Sequence, residues 1–283
     1  MLSYRHAFHA GNYADVLKHI VWQQILQHLN SKGKPYCIVD THAGAGMYDL
    51  QSEQASKTAE YLQGVAKLWN QAGSLPASVS SYLALLKELN PDSLQRYPGS
   101  PWFTLDALRD CDRAWLCELH SSEFPLLEQT IRQSGAHPRK VKAFASDGFE
   151  TMIAKLPPLE RRGAVLIDPS YEVKTDYQTV VDSVIAAHKR FATGTYAIWY
   201  PVVDRSKANL IEKGLLRSGI KNIHCYELGT APDSNAFGMT AAGLYVINPP
   251  WTLAAEMQQT LPWLAEVLAS EQGRWRNEIV VAE

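Results

Sequence analysis

The chain has 283 residues, 46% hydrophobic and 20% charged, a balance typical of folded soluble proteins that excludes disorder as the main state. With 27 Lys and Arg against 29 Asp and Glu, the formal charge of −2 excludes a uniformly basic nucleic-acid coat and leaves only local basic patches. No apolar run nears the roughly 18 residues of a membrane span, and the first residues lack the apolar core of a secretion signal, so a cytoplasmic protein with no membrane partner is expected.

In chain order, the first element is an amphipathic helix over 12–30. Val16, Leu17, Ile20, Val21, Ile25, Leu26 and Leu29 recur at helical spacing, and Gly33 with Pro35 supplies the stop. Asp15, Lys18 and His19 therefore share one helix. A short apolar run at 36–40 passes into Thr41-His42-Ala43-Gly44-Ala45-Gly46, a strand followed by a Gly-rich turn. Two helical patterns then fill 54–90, divided by Gly73-Ser74-Leu75-Pro76. This is too long for a simple strand-to-helix connection, so residues 51–96 are expected to form an inserted helical subdomain, with a short helix at 102–108 beside it. Residues 1–50 and 97–283 are left for the main domain. Strand patterns at 114–118, 141–145, 163–168, 195–199, 222–228 and 243–248 alternate with helical ones, as at 126–133 and 180–190. Seven strands with intervening helices predict an α/β, Rossmann-like, doubly wound sheet. Cys37, Cys111, Cys117 and Cys225 show no CxxC spacing, so neither a disulfide framework nor a zinc cage is expected, and all four are expected to be buried.

The chemistry sits at strand ends. Gly44 and Gly46 follow the first strand, where a backbone without Cβ atoms can approach a nucleotide, although the pattern reads GxGxxD and by itself is no more than a tight turn. Glu118 ends the second strand pattern, where a carboxylate can accept both ribose hydroxyls. Asp147, with Gly148 after it, follows the third, where it can accept from an adenine amino group. Each alone reads as a loop acid or helix cap; in this order with the Gly loop they fit a bound adenosine.

Asp168-Pro169-Ser170-Tyr171 directly follows the apolar strand 163–167. It resembles the DPPY-type motif of S-adenosylmethionine-dependent amino-group methyltransferases, with Ser170 in place of the second proline. An adenine amine is a poor nucleophile because its lone pair is delocalised into the ring. A carboxylate and a backbone carbonyl accepting its two hydrogens favour the tetrahedral, nucleophilic geometry. Asp168 and the Pro169 carbonyl suit that role, and Tyr171 can stack on the extruded base. Asn248-Pro249-Pro250-Trp251 also matches the pattern. In the fold that the rest resembles the last strand is antiparallel, which puts this tetrapeptide on the edge away from the cofactor. It reads as a strand stop with a packed Trp251.

The resemblance extends along nearly the whole chain. The run from Ser3-Tyr4-Arg5-His6 to Lys18-His19, the 40–46 motif, Tyr97-Pro98-Gly99-Ser100-Pro101, Glu118-Leu119-His120, Ile167-Asp168-Pro169, Lys174-Thr175-Asp176-Tyr177, Trp199-Tyr200-Pro201-Val202-Val203 and the NPPW tetrapeptide closely resemble the RlmJ family of 23S rRNA adenine-N6 methyltransferases. The resemblance implies a class I methyltransferase sheet with its last strand antiparallel and a helical insertion. It also implies a monomer that uses S-adenosylmethionine and no metal, with an adenine of 23S rRNA as substrate. Carried over residue by residue, it implies that His19, His42, Ser100, Glu118, Asp147, Gly148 and Asp168 hold the cofactor, with Gly44 and Gly46 beside its methionine portion. It further implies Asp168 as acceptor at the methylated amine, Lys18 assisting, and Tyr4 reaching the RNA.

Plainer readings stand beside these. His6, His9 and His19 lack the spacing of a metal motif and read as solvated or capping residues. Phe8, Trp199 and Tyr200 are stacking platforms or simply core. The basic clusters at 139–142, 161–162, 189–190 and 205–207 read as solvated faces, each by itself too weak to assign an RNA footprint. The rival functions are adenine methylation of DNA or a role in the use of external DNA, and a nucleic-acid-binding protein made catalytically silent by Ser170.

Overall fold

In the computed structural model, which describes residues 4–173, 175–234 and 238–283, a single 3-10 turn at His6–Phe8 leads into α1, Tyr13–Asn30. Ser3 and Lys174, each part of a motif quoted above, lie outside the described residues. The helix begins where the Asn12 side chain accepts a hydrogen bond from the Asp15 amide at 3.0 Å, satisfying one of the donors that a helix start leaves open. Unlike a surface helix, α1 is buried almost all round. Val16, Leu17, Ile20, Val21, Trp22, Ile25 and Leu26 are sealed, and so are Asp15, Lys18 and His19. Polar groups carried inward on such a helix must find partners there, and these do so at the sheet edge described below.

The chain then forms β1 (Cys37–Asp40), β2 (Met47–Asp49), α2 (Glu53–Thr58), α3 (Val65–Trp69), α4 (Ala77–Leu89), β3 (Arg96–Pro98) and α5 (Ser100–Ala107). It continues with β4 (Arg113–Cys117), α6 (Phe124–Gln133), β5 (Val141–Phe144), α7 (Gly148–Lys155), β6 (Gly163–Ile167), α8 (Asp176–Arg190) and β7 (Thr195–Val202). The last part holds α9 (Arg205–Arg217), β8 (Ile223–Gly229), β9 (Ala241–Ile247), α10 (Leu253–Ala269) and β10 (Arg274–Val281).

Eight strands make the main sheet in the order β10-β8-β9-β7-β6-β1-β4-β5. The five from β7 to β5 are parallel, and β9 runs antiparallel between β7 and β8. The seven strands expected from the sequence are all present. The eighth, β10, carries no apolar alternation and pairs with β8 alone at the sheet margin. The β2–β3 hairpin, also unforeseen, pins together the two ends of the segment that carries α2, α3 and α4.

Alternation along the strands feeds two cores. Ile38, Leu116, Ala164, Leu166 and Val246 face α1, α5, α10 and the 51–96 helices. Val39, Val165, Ile167, Ile198 and Ile247 face α7, α8 and α9. Two sequence expectations are corrected here. Cys111 is exposed while the other three cysteines are buried. Trp251 is 84% exposed rather than packed, because the Pro249-Pro250 turn carries it past the end of β9.

Candidate active site

Because β1, β4, β5, β6 and β7 are parallel, their C-terminal ends meet on one edge, where a doubly wound sheet binds ligands. A cavity of about 680 Å³ opens there. Of the residues singled out from the sequence, Tyr4, Lys18, His19, His42, Gly44, Ser100, Glu118, Asp147, Gly148, Asp168, Pro169 and Tyr171 line it. Gly46 does not. With φ at +79° it turns the loop, and a Cβ there would press on Thr130 and Pro101.

The loop after β1 is shaped by close approach. Gly44 has φ +61°, a side chain there would run into the Tyr48 hydroxyl, and its amide donates to Glu118 Oε2 at 2.8 Å. Glu118 also accepts from the His120 amide at 2.6 Å; burial nonetheless pushes its carboxyl above the usual range, against the pull of those two amides. Asp147 caps α7 by accepting from the amides of Phe149 and Glu150, and Gly148 is needed because any Cβ would collide with the Thr41 carbonyl. His42 sits against the edge of Phe149 at 5.0 Å, and burial lowers its pKa to about 4, so it is neutral. Ser100, at the start of α5, donates to Asp40 Oδ2 at 2.6 Å.

On the other wall a charged chain runs inward, and its members come from opposite parts of the sequence. The Tyr4 hydroxyl lies 2.9 Å from His6 Nδ1, His6 Nε2 lies 2.8 Å from Asp15 Oδ2, and Lys18 Nζ bridges Asp15 Oδ1 at 2.8 Å and Asp168 Oδ2 at 2.7 Å. Tyr4 donating to Nδ1 leaves the Nε2 proton for Asp15. Burial raises the Asp15 carboxyl, but His6 and Lys18 outweigh it and hold it well below the usual range. Burial raises Asp168 as well, with Lys18 opposing. Asp168 Oδ1 has no hydrogen-bond partner among the described residues. The solvated or capping reading is corrected for two of the histidines: His6 belongs to this chain and His19 is buried, whereas His9, its side chain 36% exposed, bonds Glu60 at 2.8 Å.

Two buried donors around the cavity lack partners among the described residues. Tyr82 donates to the Tyr97 hydroxyl, which lies 2.8 Å from His19 Nδ1, so the proton of His19 sits on Nε2, an orphan. The other is Trp199 Nε1; its ring lies under the Lys18 ammonium at 5.8 Å. Tyr171 is held in a left-handed backbone conformation, φ +54°, with its hydroxyl donating to the Trp199 carbonyl at 2.6 Å and its ring 4.6 Å from that of Tyr177. The NPPW tetrapeptide is at the opposite edge, where Asn248 Nδ2 donates to the carbonyls of Ala192 and Gly194 ahead of β7. Among the described residues no group of three or more His, Cys, Asp or Glu side chains could hold a metal ion.

Sequence reasoning did not single out Asp15, His6, Asp40 or Trp199 as members of one site. Asp15 and Asp40 share a signal, a carboxylate set among apolar neighbours on a helix or at a strand end; His6 and Trp199 carry none. A family model described as RsmJ, ribosomal RNA large subunit methyltransferase D, RlmJ, matches residues 33–281. The chain is 48% identical to ribosomal RNA large subunit methyltransferase J of Haemophilus influenzae, over 100% of both chains. It is 51% identical to the protein of the same name from Escherichia coli, over 93% of both. A crystal structure of a Legionella pneumophila protein superposes with a TM-score of 0.87 at 36% identity, covering 96% of this chain and 98% of that one. The chain therefore belongs to the RlmJ family of ribosomal RNA large subunit methyltransferases.

Proposed function

We propose that the protein transfers a methyl group from S-adenosylmethionine to the N6 amine of an adenine in 23S rRNA, acting as a cytoplasmic monomer. The observation that carries this reading is Asp168. It stands at the C-terminal end of the strand beside β1, with one carboxylate oxygen held by buried Lys18 and the other left to the cavity.

The residues present fit the cofactor. The orphan donor of His19 calls for an acceptor, Glu118 and Asp147 offer carboxylates at the cavity wall, and the Gly44 turn lets the backbone come close. His19, His42, Ser100, Glu118, Asp147 and Gly148 would hold it, Ser100 through the floor it forms with Asp40. When bound, it supplies an electrophilic methyl group on a sulfonium.

The rest is done by this chain. Asp168 Oδ1 and the Pro169 carbonyl accept the two amine hydrogens, which turns the nitrogen lone pair toward the methyl group in an in-line transfer without a covalent enzyme intermediate. Lys18 opposes the rise that burial gives the Asp168 carboxyl and holds it in place, and the proton released from the amine leaves by way of Oδ1. Tyr171, locked by Tyr177 and the Trp199 carbonyl, presents a rigid ring for the base to stack on, and Tyr4 closes over the RNA side. Ser170 removes neither acceptor nor ring.

The test is transfer of labelled methyl groups to protein-free 23S rRNA, followed by nucleoside analysis, with Asp168→Ala alongside. Label in N6-methyladenosine that disappears in the variant is expected. Normal methylation by the variant, or label that enters DNA instead, would overturn the assignment.

A further inference from the structure

We propose that the sheet edge opposite the cavity is a second RNA-binding surface, which anchors 23S rRNA at a distance from the methylated adenine; this rests on the reading of the protein as a 23S rRNA methyltransferase. The need for one comes from the cavity itself. Glu60, Glu118 and Asp176 stand around it, Glu123 is occupied by Arg5 at 3.6 Å, and Lys207 is the one ammonium that joins Lys18 there among the described residues. A polyanion finds little attraction at such a mouth, and a chain of net charge −2 has to gather its cations elsewhere.

They are gathered at the N-terminal ends of the parallel strands. Lys32 and Lys34 precede β1, Arg161 and Arg162 precede β6, and Lys189 and Arg190 end α8 ahead of β7. These three strands are neighbours, and the next one, β9, runs the other way and delivers Trp251 to the same edge. At about 4.8 Å between strands, the four ends span roughly 15 Å. Within 28–36, 157–162, 188–194 and 248–252 the single carboxylate is Glu160, which is occupied by Arg113 at 3.3 Å. Among the described residues Arg162 donates to the carbonyls of Lys34 and Leu29 and lies over the Tyr36 ring at 5.8 Å, and with Lys32 it adds to burial in lowering the pKa of nearby His28.

A plainer account covers part of this. Lys189 and Arg190 complement the helix dipole at the end of α8. It does not cover Lys32, Lys34 or Arg161, which lie outside helices and are exposed. Nor does it cover an indole that is 84% in solvent, beside the α8 terminus to which the Asn248 amide ties its loop. Cations flanking an open aromatic ring suit phosphates and an unstacked base. A long RNA can occupy both edges, and engaging the anchor raises the effective concentration of the target at the cavity.

The test combines Lys34→Gln, Arg161→Gln, Lys189→Gln and Trp251→Ala in the full chain, all at exposed positions, with thermal melting as the check on folding. Methylation kinetics are measured on protein-free 23S rRNA and on nested fragments down to the shortest that is still methylated. RNA affinity is measured as a function of salt. For the full rRNA, KM should rise at least about tenfold with kcat nearly unchanged, and the slope of log affinity against log salt should shrink by about 2, at roughly 0.7 per lost phosphate contact. The shortest fragment should be methylated alike by both proteins. An unchanged KM and slope on the full rRNA would overturn the proposal and hand the surface to a protein partner. An equal rise of KM on the shortest fragment would also overturn it. Failure of the wild-type protein to methylate any RNA would defeat the proposed function instead, and a variant that lost its salt slope would still support the anchor.

Discussion

Asp40 illustrates how much a single position at the end of β1 carries. It is fully buried, it accepts the Ser100 hydroxyl, and burial, opposed by that hydrogen bond and reinforced by the charge of Asp168, pushes its carboxyl up to about 7. In the unfolded chain the same group titrates near 3.8, so between about 4 and 7 the folded chain holds a proton that the unfolded chain has lost. The stability tied to that proton is complete below about 4 and is lost as pH rises through 7. Asn cannot ionise, so Asp40→Asn should gain on the wild-type protein at pH 8 relative to pH 5. Thermal denaturation at the two pH values checks this, and parallel losses in both proteins would refute it. Lys18 opposes the effect of burial at Asp15 and Asp168, since its buried ammonium stands between two carboxylates that would otherwise be expensive to hold as anions.

Among the elements, α1 and β10 show two ways in which sequence maps to structure. The helix is legible because its apolar period, its Asn12 cap and its Gly and Pro stop agree with one another. The strand is not, because Arg274-Trp275-Arg276-Asn277-Glu278 lies half in solvent and earns its place through backbone pairing with β8 and packing on α10. Arg276 adds ion pairs to Glu212 and Glu278. A chain ended after Gln272 should therefore leave the outer edge of β8 open along Ile223–Gly229, with only its β9 side still paired. The expected outcome is a lower melting temperature and concentration-dependent association in light scattering. A monomer with unaltered melting would show that β8 needs no cover.

For the molecule as a whole, the 51–96 helices share one core with the sheet. Val65, Leu68, Val79, Tyr82 and Leu83 are sealed in the same cluster as Val16, Ile20 and Ile25 of α1 and Leu261 and Leu264 of α10. Tyr82 also donates to Tyr97, whose hydroxyl reaches His19, so the segment supports the cavity wall from behind. Replacing residues 51–96 by a short linker should uncover that face of α1 and α10. The shortened chain is expected to bind hydrophobic dyes and to lose cooperative unfolding. A sharp thermal transition would mean that the segment is independent of the rest.

The amino-acid sequence by itself determined the alternation of strands and helices, the helical character of the segment between Gln54 and Asn90, and the position of Asp168 at the end of a buried strand. These follow from apolar periodicity and turn chemistry, which act over a few residues. The direction of the last strand, which put Asn248-Pro249-Pro250-Trp251 at the edge away from Asp168, came from the family resemblance, and β9 does run antiparallel to β7. Only the tertiary structure joined Lys18 to Asp168 across 150 positions, placed His6 and Asp15 in the same chain of charges, and left the His19 donor without a partner among the described residues. Only the tertiary structure, too, moved Gly46 out of the cavity and Trp251 into solvent. Burial of a polar group and the sign of its neighbours depend on which strand ends share an edge, a relation between distant segments that no local pattern encodes.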